Sequence, residues 1–194
     1  MAESILGLFK ERRALLEGHF VLSSGLHSSR YLQCALVLQE PAIASQLGAE
    51  LGDLLRPLFD GQPPGAVIGP ALGGVIVGHE VARALGCRAL FTERLGDVMV
   101  LRRGFEVRHN EPVVIVEDVV TTGRSTREVM DVVRAAGAHV LAVGSLVDRT
   151  GGTVDLGVPR RSLLAIEVPT YTTDACPLCA SGSRPEKPGS RPTP

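Results

Sequence analysis

Short, unbroken apolar runs alternate with segments of helical periodicity from residue 66 to residue 168. These runs predict strands that are buried on both faces, because a half-exposed strand would alternate apolar with polar residues. Such strands, separated by helices, form a parallel sheet covered by helices on both sides, and ligands bind beyond the carboxyl ends of the strands. The predicted strands lie at 66–68, 88–92, 113–116, 139–147 and 163–168, and the predicted helices at 75–85 and 125–136. The fold class is therefore α/β.

The segments outside this alternation have other signatures. Apolar residues at helical spacing predict a helix over 4–16 that ends at Gly18, and a second helix begins at Pro41. Predicted strands at 20–22 and 31–38 flank a turn. Residues 93–110 are rich in Arg and Gly without strong periodicity, which is typical of a mobile lid. We expect one domain over 1–180, with an N-terminal hood and helix at 1–40, and a disordered Pro/Gly/Ser-rich tail at 181–194.

Composition excludes several classes of function. The formal net charge is −1, so no overall basic field would gather nucleic acid or hold the chain on an anionic membrane. No apolar run approaches the length of a membrane span, and charges interrupt the N-terminal segment where a signal peptide needs an apolar stretch. We therefore expect a cytoplasmic protein that binds neither nucleic acid nor membrane.

The four cysteines divide into two kinds. Cys34 and Cys87 stand alone in apolar contexts and are expected in the core. Cys176 and Cys179 have the spacing of a metal knuckle, but a tetrahedral zinc site needs two more ligands. The sequence offers neither a second such pair nor paired histidines. A turn near the C-terminus is the simpler interpretation, and structural zinc is the alternative.

The most informative segment begins with the apolar residues 113–116, continues through Glu117 and Asp118, and ends in Thr-Thr-Gly-Arg-Ser. Adjacent carboxylates at the exit of a buried strand are costly unless they are solvated, paired or bound to a ligand, and sugar hydroxyls suit them. Backbone N–H groups at the next helix start, with three hydroxyl side chains, predict a phosphate cradle. Ser125 and Glu128 match a capping box. The segment predicts a phosphorylated-ribose site; an ordinary polar turn is the alternative.

This segment resembles the phosphoribosyl pyrophosphate signature of the type I phosphoribosyltransferases. Residues 20–31 and 69–74 are similar to the N-terminal substrate hairpin and the pyrophosphate loop of the orotate phosphoribosyltransferase family. The resemblance spans residues 20–168. It implies a type I phosphoribosyltransferase-like parallel sheet flanked by helices, with a small N-terminal hood and a mobile lid loop. The implied reaction transfers the 5-phosphoribosyl group to orotate in pyrimidine biosynthesis, giving orotidine 5-phosphate and pyrophosphate.

The resemblance also implies roles for individual residues. The catalytic residues would be Asp118, Glu117 and Arg94, and the two acids would bind the ribose hydroxyls. The phosphoribosyl pyrophosphate site would further contain Val119, Val120, Thr121, Thr122, Gly123, Arg124, Ser125, Ala71, Leu72, Gly73 and Gly74. Orotate would contact Thr121, Arg149, Ser24 and Gly25. A guanidinium fork at Arg149 suits a planar carboxylate, although a surface arginine is the alternative. Tyr31 is expected either beside the pyrimidine or in the core.

Cofactor and assembly follow from the same resemblance. Mg²⁺ is the implied cofactor, held mainly through the substrate and without dedicated protein ligands. The implied assembly is a homodimer that shares the lid across its interface.

The chain departs from the family pattern in places. Ser23 and Gly73 stand where the family commonly has lysines, and of its basic lid residues only Arg94 is well matched. We expect Arg102 or Arg103 to supply some of the missing charge, or else to be solvated hairpin residues. Two alternative functions stay open: transfer to a purine or to uracil, and a non-catalytic regulator that senses phosphoribosyl pyrophosphate.

Overall fold

The structure, a computed structural model, describes residues 2–22 and 24–188, with only the backbone of Ala2. In chain order the strands are β1 (Leu15–Val21), β2 (His27–Leu32), β3 (Ala66–Pro70), β4 (Arg88–Leu95), β5 (Val98–Leu101), β6 (Pro112–Val120), β7 (His139–Asp148), β8 (Arg160–Ala165) and β9 (Thr170–Tyr171). The α-helices are α1 (Ala2–Glu11), α2 (Ala35–Leu38), α3 (Pro41–Leu55), α4 (Gly73–Leu85), α5 (Arg124–Ala135) and α6 (Pro177–Ala180). No helix in the described ranges is both long and apolar enough to cross a membrane.

The chain divides into two compact units. The larger is Leu38–Ile166, and the smaller combines the residues up to Val37 with those from Glu167 onward. Residues 167–188 are therefore grouped with the N-terminal segment. The single domain over 1–180 with a hood at 1–40 stays a prediction.

The larger unit contains a six-stranded sheet in the order β5-β4-β3-β6-β7-β8. Every neighbouring pair is parallel except β4 and β5. The predicted α/β class is confirmed, as are the five predicted strands and both helices. β6 is longer than predicted, so Glu117 and Asp118 lie within the strand rather than after it. Beneath α5 the core is aliphatic and includes Ile68, Ile115 and Met130.

The predicted lid is not irregular throughout. Its first part forms the β4–β5 hairpin, in which Arg94 is paired with Met99 and Leu95 with Val98 around a tight turn. The side chain of Met99 is buried in the core, which anchors this hairpin to the sheet.

The smaller unit contains a three-stranded antiparallel sheet in the order β1-β2-β9. The first helix ends at Glu11, not at residue 16, because Arg13 adopts a left-handed conformation with φ 56°. The N–H of Ala14 donates to Phe9 O at 2.8 Å and that of Arg13 to Lys10 O at 3.0 Å, as in a Schellman motif. Gly18, predicted to end the helix, lies inside β1 instead.

Two further boundaries in the smaller unit differ from the sequence-based predictions. The second strand ends at Leu32, and residues predicted as its continuation form α2. Residues 181–188, predicted as disordered, run beside β1: the N–H of Glu186 donates to His19 O at 2.7 Å, and the N–H of Val21 donates to Glu186 O at 2.8 Å. Residues 189–194 of the predicted tail lie outside the described residues.

Candidate active site

The centre of the six-stranded sheet has the topology of a ligand site. β3 and β6 are neighbours, but the chain continues from β3 toward one edge of the sheet and from β6 toward the other. The loops that leave two such strands diverge, and this switch point is where parallel α/β sheets bind ligands. Here the diverging segments are residues 71–72 after β3 and 121–123 after β6.

The loop after β6 exposes its two threonines, whereas Gly123 is buried against Val154 and Leu156. Thr121, Thr122 and Arg124 are exposed, and Gly123 has φ 70°, a conformation that favours glycine, at the N-cap of α5. No side chain makes a capping hydrogen bond to this N-cap. The N–H of Arg124 donates to Thr122 Oγ1 at 3.4 Å. A helix start leaves N–H groups that favour an anion, so the phosphate site stays a prediction here.

The predicted capping box does not form. The helix begins one residue before Ser125, whose hydroxyl donates to Glu117 Oε1 instead of capping the helix. The Glu128 carboxylate accepts hydrogen bonds from Arg94 Nη2 and, at 3.0 Å, from Arg124 Nε.

Glu117 is a buried carboxylate held by the start of α5. Its Oε1 accepts from Ser125 and its Oε2 from Thr126, so each oxygen has a hydroxyl donor. Burial raises the pKa of Glu117, and this effect exceeds the lowering by the two hydroxyl hydrogen bonds. In this arrangement Glu117 fixes the first turn of α5 to the sheet.

Asp118 points to the opposite face of β6, because successive strand residues alternate. Its half-buried carboxylate lies against Gly73, the first residue of α4. Burial raises the pKa of Asp118, partly offset by hydrogen bonds with the backbone N–H groups of Val119 and of Asp118 itself. The Glu117 carboxylate therefore lies toward the start of α5, and the Asp118 carboxylate lies toward the start of α4, which follows the loop after β3.

The loop after β3 packs tightly on β6. A Cβ at Gly69 would lie 2.5 Å from Gly74 O and 2.9 Å from Val116 O, so only glycine permits this approach. The Ala71–Leu72 peptide is cis, and Leu72 is 89% exposed. Of the four amides predicted to meet pyrophosphate, that of Ala71 donates to Thr92 O at 2.8 Å and is already occupied.

Arg149 carries a partly buried charge beside the loop after β6, residues 121–123. Its N–H donates to Val120 O at 2.9 Å, which places it next to Thr121. Burial lowers the pKa of its guanidinium, and its buried Nε has no hydrogen-bond partner among the described residues. A half-desolvated cation in this state provides a site for an anionic ligand.

The neighbouring acid does not neutralise Arg149. Asp148 accepts from the Thr150 N–H and from Arg160 Nη1, both at 2.7 Å. Although burial acts to raise it, the pKa of Asp148 is lowered by Thr150 and Arg160. Asp148 is therefore committed to those two partners.

The basic residues of the hairpin region differ in their partners. Arg94 contacts Glu128 and donates to Asp97 O at 3.0 Å. Arg103 makes two 2.8 Å hydrogen bonds to Glu93 and lies 5.8 Å from the ring centroid of Phe91. Arg102 is exposed.

The predicted site residues fall into both units. The larger unit holds all of them except Ser24 and Gly25, which form the exposed turn between β1 and β2, with Gly25 at φ 80°. Tyr31, in β2, packs against Phe20 at a ring-centroid distance of 5.9 Å.

Two residues of the site were not predicted from the sequence. The only signal for Thr126 is its place beside Ser125, and the partner of Arg160 depends on the pairing of β7 with β8.

Comparisons with known proteins agree with this geometry. Residues 37–167 match the family model described as "Phosphoribosyl transferase domain". The chain is 56% identical over 184 residues to a Carboxydothermus hydrogenoformans protein named orotate phosphoribosyltransferase, covering 95% of each chain. It is 51% identical over 184 residues to the protein of that name from Thermotoga maritima, covering 95% of this chain and 96% of the relative. The crystal structure of orotate phosphoribosyltransferase from Aeropyrum pernix superposes with a TM-score of 0.66 at 30% identity, covering 84% of this chain and 93% of the other.

Proposed function

Because the chain belongs to the orotate phosphoribosyltransferase family of phosphoribosyl transferases, we propose that it transfers the 5-phosphoribosyl group from phosphoribosyl pyrophosphate to orotate. The products are orotidine 5-phosphate and pyrophosphate, in a step of pyrimidine biosynthesis. The single observation that carries this proposal is the position of residues 121–125, which begin with two exposed threonines and follow the strand of Glu117 and Asp118 at the switch point of the sheet.

In this proposal the 121–125 loop binds the 5-phosphate. The uncapped amides at the start of α5 and the hydroxyls of Thr121 and Thr122 donate to its oxygens. Ser125 contributes through its N–H, because its hydroxyl is engaged by Glu117. Glu117 thus orients the cradle and reaches a ribose hydroxyl only by exchanging one of its present donors.

Asp118 faces the ribose and the pyrophosphate loop. A carboxylate there accepts hydrogen bonds from the ribose hydroxyls and stabilises the positive charge that develops on the sugar as the C–O bond breaks. Orotate is an anion through its carboxylate, and its N1 carries a hydrogen. As N1 bonds to the anomeric carbon and the C–O bond to pyrophosphate breaks, that proton passes to water or to the departing pyrophosphate, so no strong protein base is required. The amides of Leu72, Gly73 and Gly74 are the donors proposed for pyrophosphate.

Magnesium fits the donor set on this face. Mg²⁺ prefers oxygen ligands and is commonly held by one or two carboxylates together with substrate phosphates. It would be held mainly through the substrate oxygens beside Asp118, and when bound it would neutralise the charge on the leaving group.

Orotate recognition is assigned to Arg149 and Thr121. The planar guanidinium of Arg149 would bind the orotate carboxylate as a fork. Ser24 and Gly25 are proposed as further contacts from the turn between β1 and β2. We also propose Arg94 as a ligand of pyrophosphate, together with Arg102, since the charge of Arg103 is already paired with Glu93.

The assembly and location proposed are a homodimer in the cytoplasm. In the family that this chain resembles, the lid is shared between subunits, and the β4–β5 hairpin exposes Leu95 and Val98 near its tip. Burial of these side chains against a second copy would remove them from water.

The test is a substrate panel. Purified protein with phosphoribosyl pyrophosphate and Mg²⁺ should consume orotate, followed by its ultraviolet absorbance, and should not use adenine, guanine, hypoxanthine or uracil at a comparable rate. Turnover of one of those bases in place of orotate would overturn the base assignment. Binding of phosphoribosyl pyrophosphate without turnover of any base would overturn the enzymatic function.

A further inference from the structure

The smaller unit brings together four side chains that the proposed reaction does not use. His19 lies in β1, His27 in β2, and Cys176 and Cys179 lie at and within the short helix α6. One ligand atom of each lies within 4.8 Å of all the others. The two histidines and Cys176 are buried, and Cys179 is half-buried. The sequence-based expectation that no paired histidines join these cysteines is therefore wrong.

We infer that these four side chains form a tetrahedral site for a single Zn²⁺ ion. His19 Nε2 lies 3.5 Å from Cys176 Sγ and 3.7 Å from Cys179 Sγ, and His27 Nδ1 lies 3.3 Å from Cys179 Sγ. A tetrahedral ion with ordinary zinc bond lengths holds its sulfur and nitrogen ligands about 3.6 Å apart. The two nitrogens are 2.8 Å apart, so they would separate slightly toward the roughly 3.3 Å of a tetrahedral pair.

The outer ring nitrogens orient the histidines as metal ligands. His19 Nδ1 lies 3.0 Å from Ser183 O. A carbonyl only accepts, so Nδ1 carries the hydrogen, and the lone pair of Nε2 in a neutral ring faces the cluster. His27 Nε2 lies 3.4 Å from Thr173 Oγ1, which can accept in the same way. Metal-bound histidines characteristically donate their second N–H to such partners.

In the tautomers that bind a metal, with Thr173 Oγ1 accepting from His27 Nε2, two nitrogen lone pairs are directed at each other. With both outer nitrogens donating, neither His19 Nε2 nor His27 Nδ1 has a hydrogen for their 2.8 Å contact. A cation between them and the two sulfurs resolves the conflict, because all four atoms then act as electron-pair donors.

The ligand set identifies the kind of ion and its role. Two thiolates and two imidazoles in tetrahedral arrangement favour zinc among the common metals. In a two-iron cluster with this ligand set, the cysteines and histidines bind different irons, whereas the mutual distances here suit one ion. Four protein ligands leave no open position for water or substrate, so the site is structural rather than catalytic.

The ion would connect parts of the chain that are far apart in sequence. Cys176 follows His19 by 157 residues, and β9 contributes only two residues to the sheet. A metal is a common source of stability where an apolar core is small. The ligands His19 and His27 also lie on either side of the turn with Ser24 and Gly25, so the ion would order that turn. The importance of this turn for orotate binding rests on the proposed function, but the metal site itself does not.

The test is the metal content of the full-length, tag-free protein, purified under reducing conditions and measured by plasma mass spectrometry. We expect about one zinc ion per chain. The double variant Cys176→Ser/Cys179→Ser and the variant His19→Ala should lose it. The matched controls Cys87→Ser and His79→Ala, which alter a cysteine and a histidine outside the cluster, should keep it.

A second measurement covers the case in which the variants do not fold. Wild-type protein that has been stripped of zinc and given Co²⁺ should show the visible bands of a tetrahedral ion and a sulfur-to-cobalt charge-transfer band. Less than about a tenth of an equivalent of zinc after incubation with Zn²⁺ and desalting, or undiminished zinc in the double cysteine variant, would overturn the site. Full zinc occupancy in a protein that does not turn over orotate would refute the proposed function while supporting the metal site.

Discussion

Gly73 and Asp118 are in direct contact across the switch point of the sheet, and an added Cβ at position 73 would displace the Asp118 carboxylate. A Cβ at position 73 would lie 2.5 Å from Asp118 Oδ2. The carboxylate proposed to face the ribose is thus positioned by the first residue of the helix that follows the pyrophosphate loop. A larger residue at position 73 would therefore move this carboxylate.

Gly73→Ala should therefore lower turnover without unfolding the protein. Because displacement of a reacting group by about 1 Å can cost about 100-fold in rate, we expect a loss of that order in kcat. Steady-state kinetics and thermal melts measure the two effects. Gly7→Ala is the control, since Gly7 lies in α1 with nothing within 4 Å of an added Cβ. A Gly73→Ala enzyme with wild-type kcat would contradict the positioning of Asp118 by Gly73.

Asp118→Asn should lower kcat by at least about tenfold, because the amide stabilises developing positive charge less well. The same change should raise the melting temperature of the ligand-free protein at neutral pH. Burial raises the pKa of Asp118, so its ionised form destabilises the native state above the ordinary carboxyl range, and the neutral amide removes that cost. Near wild-type turnover would refute the catalytic role, and a lower melting temperature would refute the electrostatic reasoning.

Thr126→Val should destabilise the protein in a pH-dependent way. The change removes the donor to Glu117 Oε2 at nearly constant volume and should cost about 1–3 kcal/mol in the free energy of unfolding. Burial already raises the pKa of Glu117, and the loss of a hydroxyl donor raises it further. A carboxyl with a raised native pKa loses stability as the pH rises through that pKa, so the penalty should be larger near pH 8 than near pH 5.

Urea unfolding at the two pH values tests this prediction. In a Glu117→Gln background, the penalty of Thr126→Val should be equal at the two pH values, because the carboxyl that it affects is then absent. An equal penalty at both pH values in the single variant would contradict the prediction.

Arg149→Met should raise the KM for orotate by about 30-fold, equivalent to the roughly 2 kcal/mol of a charge-assisted hydrogen bond. The KM for phosphoribosyl pyrophosphate should change little. Melting of the ligand-free variant should occur at or above the wild-type temperature, because a partly buried cation with an unpartnered Nε has been removed. Arg134→Met, at an exposed arginine of α5, serves as the control. Equal effects on both substrates would argue against a carboxylate-specific role.

Arg102→Ala should reduce kcat/KM for phosphoribosyl pyrophosphate more than Arg103→Ala does. Both arginines are exposed, but the Arg103 guanidinium is already engaged by Glu93 and Phe91. Kinetics of the two single variants and the double variant decide this. If the double variant retains wild-type kcat/KM, neither arginine supplies charge to the reaction.

The order of strands and helices in the larger unit could be predicted because each element has its own local pattern. The apolar run 113–116, the acidic pair and the hydroxyl-rich loop are contiguous, so the sequence alone places them at the end of a buried strand and the start of a helix. The capping box failed because the Ser125 hydroxyl had a nearer acceptor, the buried Glu117 carboxylate, which the local pattern does not reveal.

Features that depend on distant pairing could not be predicted. The meeting of His19 with Cys176 depends on the path of the chain after Ile166, and the partner of Arg103 depends on the geometry of the segment after β5. The end of α1 depends on a left-handed Arg13, a conformation with no strong sequence signal for arginine. In each case tertiary contacts determine the side-chain partner or the helix end, which local sequence propensity does not specify.

The most direct test of the phosphate site is a crystal structure with orotidine 5-phosphate bound. The phosphate oxygens should lie about 2.7–3.2 Å from backbone nitrogens of residues 122–125, and the ribose hydroxyls should point toward Asp118. A phosphate bound elsewhere, with residues 121–125 making no contact to the nucleotide, would contradict it.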